Sequence, residues 1–425
     1  MIYASTFLSH SSADKSLVER VAVELGRRGV IAWLDKNELL PGVNLTVALR
    51  EAIRRQATVT IFLSSNSVAS RWVEDELKEA LQMDEQNNNK FIVPIYLDDP
   101  LTLVKAHLLL RQRWLHPDGK RVTQLGITSA GRTLAEKSKD IATKLAGMIY
   151  DTLAIKQQSD VIIYLDQRGD GQRRGETPNL PQNARNLEAP VLLFRPDLGP
   201  RSKSETLYGA DWEAVRDNIR WALGEALTGT HWPQPKNIYL YGASQLGLAF
   251  LIGHHFDRNT SAFLYCTNRD GKVFNNCGQP RHAPLTGGNP YCETPHPDIQ
   301  PIPKNARLSA ISLLLSTDFY VGSVLAYLGT QTNSPPPVWI KHDCFSNDNQ
   351  VMNHIANVVA LLTRFRNDHG ANTVYLYCSL PFNMVPLLAA NLLHVMDTII
   401  FMEYRYDLKG TQASPQDMYA PLLMN

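Results

Sequence analysis

Cysteine is scarce in this 425-residue sequence, and the first 265 residues contain none. The five cysteines all lie in the C-terminal part, and an odd number without a CxxC pair is typical of reduced thiols rather than a disulfide framework. A charge excess is also lacking, because 42 Lys and Arg balance 41 Asp and Glu. This balance excludes a protein that coats long nucleic acid by bulk charge, but a small anionic ligand in a local basic pocket stays open.

The sequence also lacks an uninterrupted membrane-length apolar run. Residues 384–402 come nearest, but Asn391, His394 and Asp397 interrupt them, which predicts a buried helix followed by a strand. The start, residues 1–6, has no basic segment followed by an apolar one. We therefore expect a cytoplasmic protein without a secretory signal or a membrane anchor.

One proline- and glycine-rich stretch carries four potential zinc ligands: Cys277, His282, Cys292 and His296. Their spacing matches no common zinc finger. A structural zinc site and a surface loop with incidental Cys and His both remain open.

The length indicates two or three domains. A polar stretch at residues 156–159 precedes a new strand, so we predict one domain over 1–155 and another over 160–425. In the first, short apolar runs alternate with helical patterns, which indicates an α/β domain with a parallel sheet. The predicted strands are 6–9, 30–34, 58–63 and 91–96, and the predicted helices lie near 13–28, 45–56, 71–86 and 133–154. Ligands bind beyond the carboxyl ends of such strands, where Ser9, Asp35 and Ser64 would project.

The second domain contains an internal duplication. Residues 237–244 (NIYLYGAS) are echoed by 373–379 (TVYLYCS), and each stretch precedes a helix and another strand. The repeat extends backwards, since 161–165 correspond to 311–315 and 191–194 to 338–340. The halves, about 160–305 and 306–425, either present a joint ligand pocket or merely build a scaffold.

A Trp and a Glu share one face of the helix predicted over 71–86. Trp72 and Glu76 are four residues apart, so both can line one pocket near the end of the strand 58–63. Glu79 shares that face and is a rival. Alone, such a Glu is usually a solvated charge near a helix N-terminus.

Four ordered motifs give the first third of the chain a resemblance to bacterial TIR domains. They are Phe7–Lys15 (FLSHSSADK), Gly29–Asp35 (GVIAWLD), Glu38–Gly42 (ELLPG) and Ser70–Leu77 (SRWVEDEL). The resemblance implies a flavodoxin-like parallel sheet, with residues 36–45 as the family's BB loop.

The duplicated half, preceded by such a domain, resembles SAVED, a sensor made of two fused CARF-like (Rossmann-like) α/β units. The whole then resembles a TIR-SAVED effector of CBASS antiviral defence. This resemblance implies binding of a cyclic oligonucleotide, with cyclic tri-adenylate as first choice, made by a partner nucleotidyltransferase. It also implies NAD⁺ destruction, with assembly into an oligomer or head-to-tail filament on activation.

The TIR resemblance assigns roles to particular residues. Glu76 corresponds to the catalytic glutamate, whose carboxylate stabilises positive charge on the ribose as nicotinamide leaves, without a metal or further cofactor. The expected NAD⁺ contacts are Ser9, Trp33, Asp35, Ser70 and Trp72. For Trp33, core packing is an equal alternative, as capping is for Ser9 and Asp35. The products are nicotinamide and ADP-ribose, or cyclic ADP-ribose.

Phosphates and bases require cationic groups, backbone donors and aromatic faces. The strand ends of the duplicated half supply Arg195, Ser244, Gln245, Arg269, Phe319, Tyr320, Lys341, His342, Ser379, Phe382, Arg405 and Lys409. We expect no DNA and no membrane among the partners. A non-catalytic TIR adaptor that oligomerises on nucleotide binding is the alternative function.

Overall fold

The computed structural model describes residues 2–34, 53–69, 77–78, 80–82, 84, 92–129, 131–167, 180, 182–196, 209–227, 236–256, 262–267, 273–275, 287–342, 345–392, 395–405 and 414–424. The chain forms two compact units. Unit 1 comprises residues 1–163, 170–200 and 221–232, and unit 2 comprises 164–169, 201–220 and 233–425. The domain limits 1–155 and 160–425 remain predictions.

The first sheet has the four strands predicted from the sequence and a short fifth one. The strands are β1 (Ser5–Ser9), β2 (Ile31–Leu34), β3 (Thr58–Leu63), β4 (Ile92–Tyr96) and β5 (Ile127–Thr128). Their order is β2-β1-β3-β4-β5, and every pairing is parallel. All residues of β1 to β4 are buried, as apolar runs without alternation predict for a sheet covered on both faces.

In the described part of the chain, the helices around this sheet are α1 (Lys15–Gly26), α2 (Pro100–Ala106), α3 (Leu108–Trp114) and α4 (Leu134–Thr152). A capping box between Thr133 and Glu136 begins α4. The predicted helices 13–28 and 133–154 are thus confirmed. The predictions for 45–56 and 71–86 lie mostly outside the described residues, although 53–54, 77–78, 80–82 and 84 are helical.

Two further sheets repeat one topology. The second sheet contains β6 (Asp160–Asp166), β7 (Val191–Phe194), β8 (Lys236–Ala243), β9 (Ala262–Thr267) and β10 (Val273–Asn275). The third contains β11 (Ala310–Ser316), β12 (Pro337–Lys341), β13 (Thr373–Cys378), β14 (Thr398–Tyr404) and β15 (Tyr419–Leu423). The orders are β7-β6-β8-β9-β10 and β12-β11-β13-β14-β15, which match strand for strand. The predicted duplication is confirmed, and each repeat adds an antiparallel last strand that the sequence did not reveal.

The remaining helices follow the same repeat. They are α5 (Gln182–Arg185), α6 (Gly209–Leu227), α7 (Leu246–His255), α8 (Asp318–Thr330), α9 (Asp348–Arg364) and α10 (Val385–Leu392). The equivalent helices α7 and α10 pack together, so closely that a Cβ on Gly253 would lie 2.1 Å from the Pro386 carbonyl oxygen. Helix α10 followed by β14 matches the prediction for 384–402, and no helix in the described ranges is long and apolar enough to cross a membrane.

Candidate functional site

A carboxylate joins the carboxyl ends of two neighbouring strands in the first sheet. Asp14 Oδ2 accepts hydrogen bonds from the hydroxyls of Ser11, 2.6 Å away, and Ser64, 2.7 Å away. Ser11 follows β1 and Ser64 follows β3, which are paired. Next to them, the amide and hydroxyl of Ser65 both donate to Asp98 Oδ2 at 2.8 Å. These bonds hold the strand-end loops in fixed positions at the edge where parallel sheets bind ligands.

Two predicted NAD⁺ contacts lie at this edge. Ser9 ends β1 and is 1% exposed, and its hydroxyl has no hydrogen-bond partner in the described part of the chain. Trp33 lies in β2, is 9% exposed and stacks on Phe7 with ring centroids 5.0 Å apart. That stacking is the core packing considered as its alternative, and the contact with NAD⁺ remains a prediction for both residues.

The other residues of the predicted catalytic constellation, Asp35, Ser70, Trp72 and Glu76, lie outside the described residues. On the same predicted helix, Leu77 and Ala80 are buried in the core cluster that contains Phe7 and Trp33. Lys78 is exposed. The role of Glu76 therefore stays a prediction.

In unit 2, a buried carboxylate connects the two repeats. Glu403, on β14 and 2% exposed, accepts hydrogen bonds from the Gly247 amide at 2.7 Å and the Leu246 amide at 3.2 Å. These amides open α7, where the helix dipole favours negative charge. Because β8 ends just before α7, this contact brings the carboxyl ends of β8 and β14 together.

Two of the predicted nucleotide contacts in the first repeat are buried and hydrogen-bonded inside the protein. Gln245 Oε1 accepts a hydrogen bond from Gln167 Nε2 at 2.9 Å, and the backbone N–H of Gln245 donates to Gln167 Oε1 at 2.8 Å. The Ser244 hydroxyl donates to the Gln245 carbonyl at 3.0 Å. Both residues thus order the turn between β8 and α7.

A histidine pair lies in the second repeat, with His342 directly after β12 and His354 on α9. His342 Nε2 lies 3.4 Å from the hydroxyl of Ser379, and the rings of His342 and His354 are 6.5 Å apart. Burial, with a smaller contribution from His342, lowers the pKa of His354 to about 4, so this ring is neutral at pH 7. A neutral imidazole offers one donor and one acceptor, which suits a nucleobase edge better than a phosphate.

The remaining predicted nucleotide contacts are dispersed. Phe319 and Tyr320 are exposed at the start of α8, and Lys341 forms an ion pair with Asp318 at 2.5 Å. Phe382 and Arg405 are half-buried, whereas Arg195 is buried and its backbone amide donates to the Gly26 carbonyl at 2.9 Å. Arg269 and Lys409 lie outside the described residues.

Of the four potential zinc ligands, Cys277 and His282 lie outside the described residues. Cys292 Sγ is 3.6 Å from the Asn357 carbonyl, and His296 packs edge-on against Trp339. No group of three or more potential metal ligands occurs in the part of the chain that the structure describes.

Sequence reasoning did not single out Asp14, Gln167 or Glu403. The spacing of Ser11 and Asp14 carried a weak capping signal. Gln167 and Glu403 follow or end strands, but their partners lie 78 and 156 residues away in the sequence. No local pattern could have identified those pairings.

The part of the sequence that forms the first sheet matches a known protein family. The family model of the TIR domain matches residues 6–125. NAD(+) hydrolase TcpC from Escherichia coli O6:H1 is 33% identical over 91 residues, which is 21% of this chain and 30% of TcpC. Disease resistance protein TAO1 from Arabidopsis thaliana is 27% identical over 177 residues, 36% of this chain and 14% of TAO1. The chain thus spans less than a third of either relative.

Among solved structures, the Acinetobacter baumannii Cap4 SAVED/CARF-domain containing receptor aligns over most of the chain. With the cyclic trinucleotide 3′3′3′-cAAA its TM-score is 0.42 at 11% identity, over 97% of this chain and 98% of that one. With 2′3′3′-cAAA the TM-score is 0.41 at 11% identity, over 92% and 87%. The family match agrees with the parallel sheet and its ordered motifs, so the N-terminal part of this α/β chain is a TIR domain.

Proposed function

We propose that the chain is an antiviral effector of the CBASS type, with a TIR domain that hydrolyses NAD⁺ and a duplicated SAVED domain that binds a cyclic oligonucleotide. The observation that carries this proposal is the TIR match over residues 6–125, which spans all four motifs including the one that contains Glu76. The relative TcpC, itself named a NAD(+) hydrolase, matches at 33% identity and supports the same chemistry.

In the proposed reaction, the Glu76 carboxylate faces the ribose and stabilises its oxocarbenium-like charge as neutral nicotinamide leaves. Ser9, Trp33, Asp35, Ser70 and Trp72 hold the substrate. The Asp14 bonds to Ser11 and Ser64 keep the neighbouring strand ends in place, which supports a preorganised site. Attack by water at the ribose carbon then yields ADP-ribose, whereas attack by the adenine ring of the same molecule would yield cyclic ADP-ribose as the alternative product. No metal or further cofactor takes part in the proposed reaction.

The sensor proposal rests on the repeated topology in the second half. Two α/β units of identical strand order, joined by Glu403 at the start of α7, place polar strand ends of both repeats near each other. Such carboxyl edges are where α/β sheets bind nucleotides. Cyclic tri-adenylate is the proposed activator.

The ligand is proposed to act by aligning subunits in the cytoplasm. If each TIR domain carries an incomplete site, ligand binding that favours an oligomer or a head-to-tail filament completes it. Neither DNA nor a membrane is a proposed partner.

The test uses the purified full chain, NAD⁺ and cyclic tri-adenylate, with nicotinamide measured by chromatography. We expect cleavage that depends on the activator, is lost in Glu76→Gln and persists in the matched control Glu79→Gln. Light scattering should show growth in mass on addition of the activator.

Each outcome separates the alternatives. If NAD⁺ cleavage falls equally in Glu76→Gln and Glu79→Gln, Glu76 is not the catalytic glutamate. Assembly without NAD⁺ cleavage under any cyclic oligonucleotide would favour the non-catalytic adaptor. Turnover by a protein that stays monomeric would contradict activation by assembly.

A further inference from the structure

Within unit 1, residues 2–4 before β1 and the turn that follows α1 cover the edge of β7. The Val191 amide donates to the Ile2 carbonyl and its carbonyl accepts from the Ala4 amide, both at 2.9 Å. Two residues further on, the Leu193 amide donates to the Gly29 carbonyl at 3.0 Å. The Arg195 amide, one residue beyond the end of β7, donates to the Gly26 carbonyl at 2.9 Å. Residues 191, 193 and 195 thus form hydrogen bonds with the TIR domain along one edge of the strand. An edge strand that is covered in this way is fixed in register.

The turn after α1 is shaped for this contact. The Gly29 amide donates to the Gly26 carbonyl and the Val30 amide donates to the Leu25 carbonyl, which together form a Schellman motif. Gly29 has a φ of +75°, and a Cβ there would lie 3.0 Å from the Phe194 ring. Both the left-handed backbone and the approach of β7 therefore require glycine.

Arg28 fixes the same turn from the other side. Its guanidinium is 1% exposed, donates to Glu24 Oε2 at 2.7 Å and lies 5.6 Å from the centre of the Trp221 ring. The Tyr150 hydroxyl donates to the Arg28 carbonyl. Trp221 belongs to α6, which precedes β8 in the first repeat. The turn 26–29 is thus held by both a strand and a helix of that repeat.

The equivalent edge of the second repeat is covered by a different part of the described chain. There, β12 is covered by an extended segment, where the Thr294 amide donates to the Trp339 carbonyl at 2.7 Å and the Lys341 amide donates to Thr294 Oγ1 at 2.9 Å. The two repeats share their strand order but differ in what covers this edge.

We propose that residues 26–29 are the positioning element through which the sensor controls the NAD⁺ site. Strand β2 begins two residues after Gly29 and carries Trp33. Trp33 is four residues from Gly29, which is roughly 13 Å at about 3.3 Å per extended residue. A shift of β7, whose extension carries the predicted nucleotide contact Arg195, moves this turn and with it β2. The inference rests on the proposed function and adds the route of its regulation.

The test compares two glycines of unit 1 that share a left-handed backbone. Gly29→Ala adds a methyl group against Phe194, whereas Gly119→Ala, at φ +68°, meets nothing within 4 Å. In the full chain, Gly29→Ala is expected to lower the ratio of activated to basal NAD⁺ cleavage about tenfold, a typical size for coupling between sites. Gly119→Ala should keep the wild-type ratio, and cyclic tri-adenylate should bind both variants. A wild-type ratio in Gly29→Ala would overturn the proposal.

A second variant serves if Gly29→Ala fails to fold. Trp221→Leu removes the ring near Arg28 and leaves the pair with Glu24 intact, and it should lower the same ratio. If no cyclic oligonucleotide activates the wild type, the proposed function fails. Hydrogen exchange of the ligand-free chain then tests whether β7 and β2 are coupled through this turn. Joint loss of amide protection at 31–34 and 191–195 in Trp221→Leu, with none in Gly119→Ala, supports the proposal, and loss at one segment without the other overturns it.

Discussion

Removal of the Glu403 carboxylate tests whether the two repeats are held together at their strand ends. Glu403→Ala leaves the amides of Leu246 and Gly247 without the acceptor that they have at 3.2 and 2.7 Å. Hydrogen bonds to a charged group each contribute about 1.5–3 kcal/mol, and an unpaired buried donor adds a desolvation penalty. We expect a loss of about 4 kcal/mol in the free energy of unfolding.

The assay is calorimetric unfolding of the full chain. For a unit of this size, about 1 kcal/mol shifts the midpoint by about 2–4 °C, so Glu403→Ala should lower the transition of unit 2 by about 8–16 °C. Glu403→Gln keeps one oxygen acceptor without the charge, and about half of that shift is expected.

The matched control is Glu213→Ala on α6, which removes an exposed carboxylate from unit 2. A change within about 0.5 kcal/mol is expected there. Should Glu403→Ala unfold at the temperature of this control, the carboxylate would not join the repeats and the reasoning would be wrong.

Two further predictions concern Asp14 and His354. Asp14→Asn removes the charge of the carboxylate that accepts hydrogen bonds from Ser11 and Ser64, and it should lower the free energy of unfolding by about 1–3 kcal/mol in urea titrations. A change equal to that of Asp151→Asn, at an exposed position of unit 1, would contradict the role of Asp14 in holding the two strand ends. The folded-state pKa of His354, about 4, lies below its ordinary 6.5, so the unfolded chain takes up a proton first as the pH falls. Its stabilising contribution is therefore complete above pH 6.5 and about 2 kcal/mol smaller at pH 5, and His354→Gln should abolish this part of the pH dependence.

Much of the fold could be read from local patterns. The runs at 58–63 and 191–194 coincide with β3 and β7, because strands buried on both faces leave continuous apolar segments. The echo between 237–244 and 373–379 predicted β8 and β13 as equivalent strands. The short strands β10 and β15 were missed because three to five residues at a sheet edge leave little periodic signal.

The candidate site was less accessible to such reasoning. As polar residues at a strand end, Ser244 and Gln245 are predicted nucleotide contacts, yet their side chains form hydrogen bonds with Gln167 and with the adjacent backbone. Residue type and position identify an edge of the sheet, but they do not distinguish a group that faces a ligand from one that satisfies a neighbour.

By itself, the sequence determined the α/β class, the four TIR motifs and the duplication, since each depends on periodicity or spacing within one segment. Only the tertiary structure decided that Asp14 joins Ser64, that Glu403 caps α7 and that Gly29 meets Phe194. The physical reason is that periodicity reports which face of an element is buried and not what covers it. Hydrogen bonds between residues 50 to 156 positions apart are chosen by packing, where each buried donor must find an acceptor.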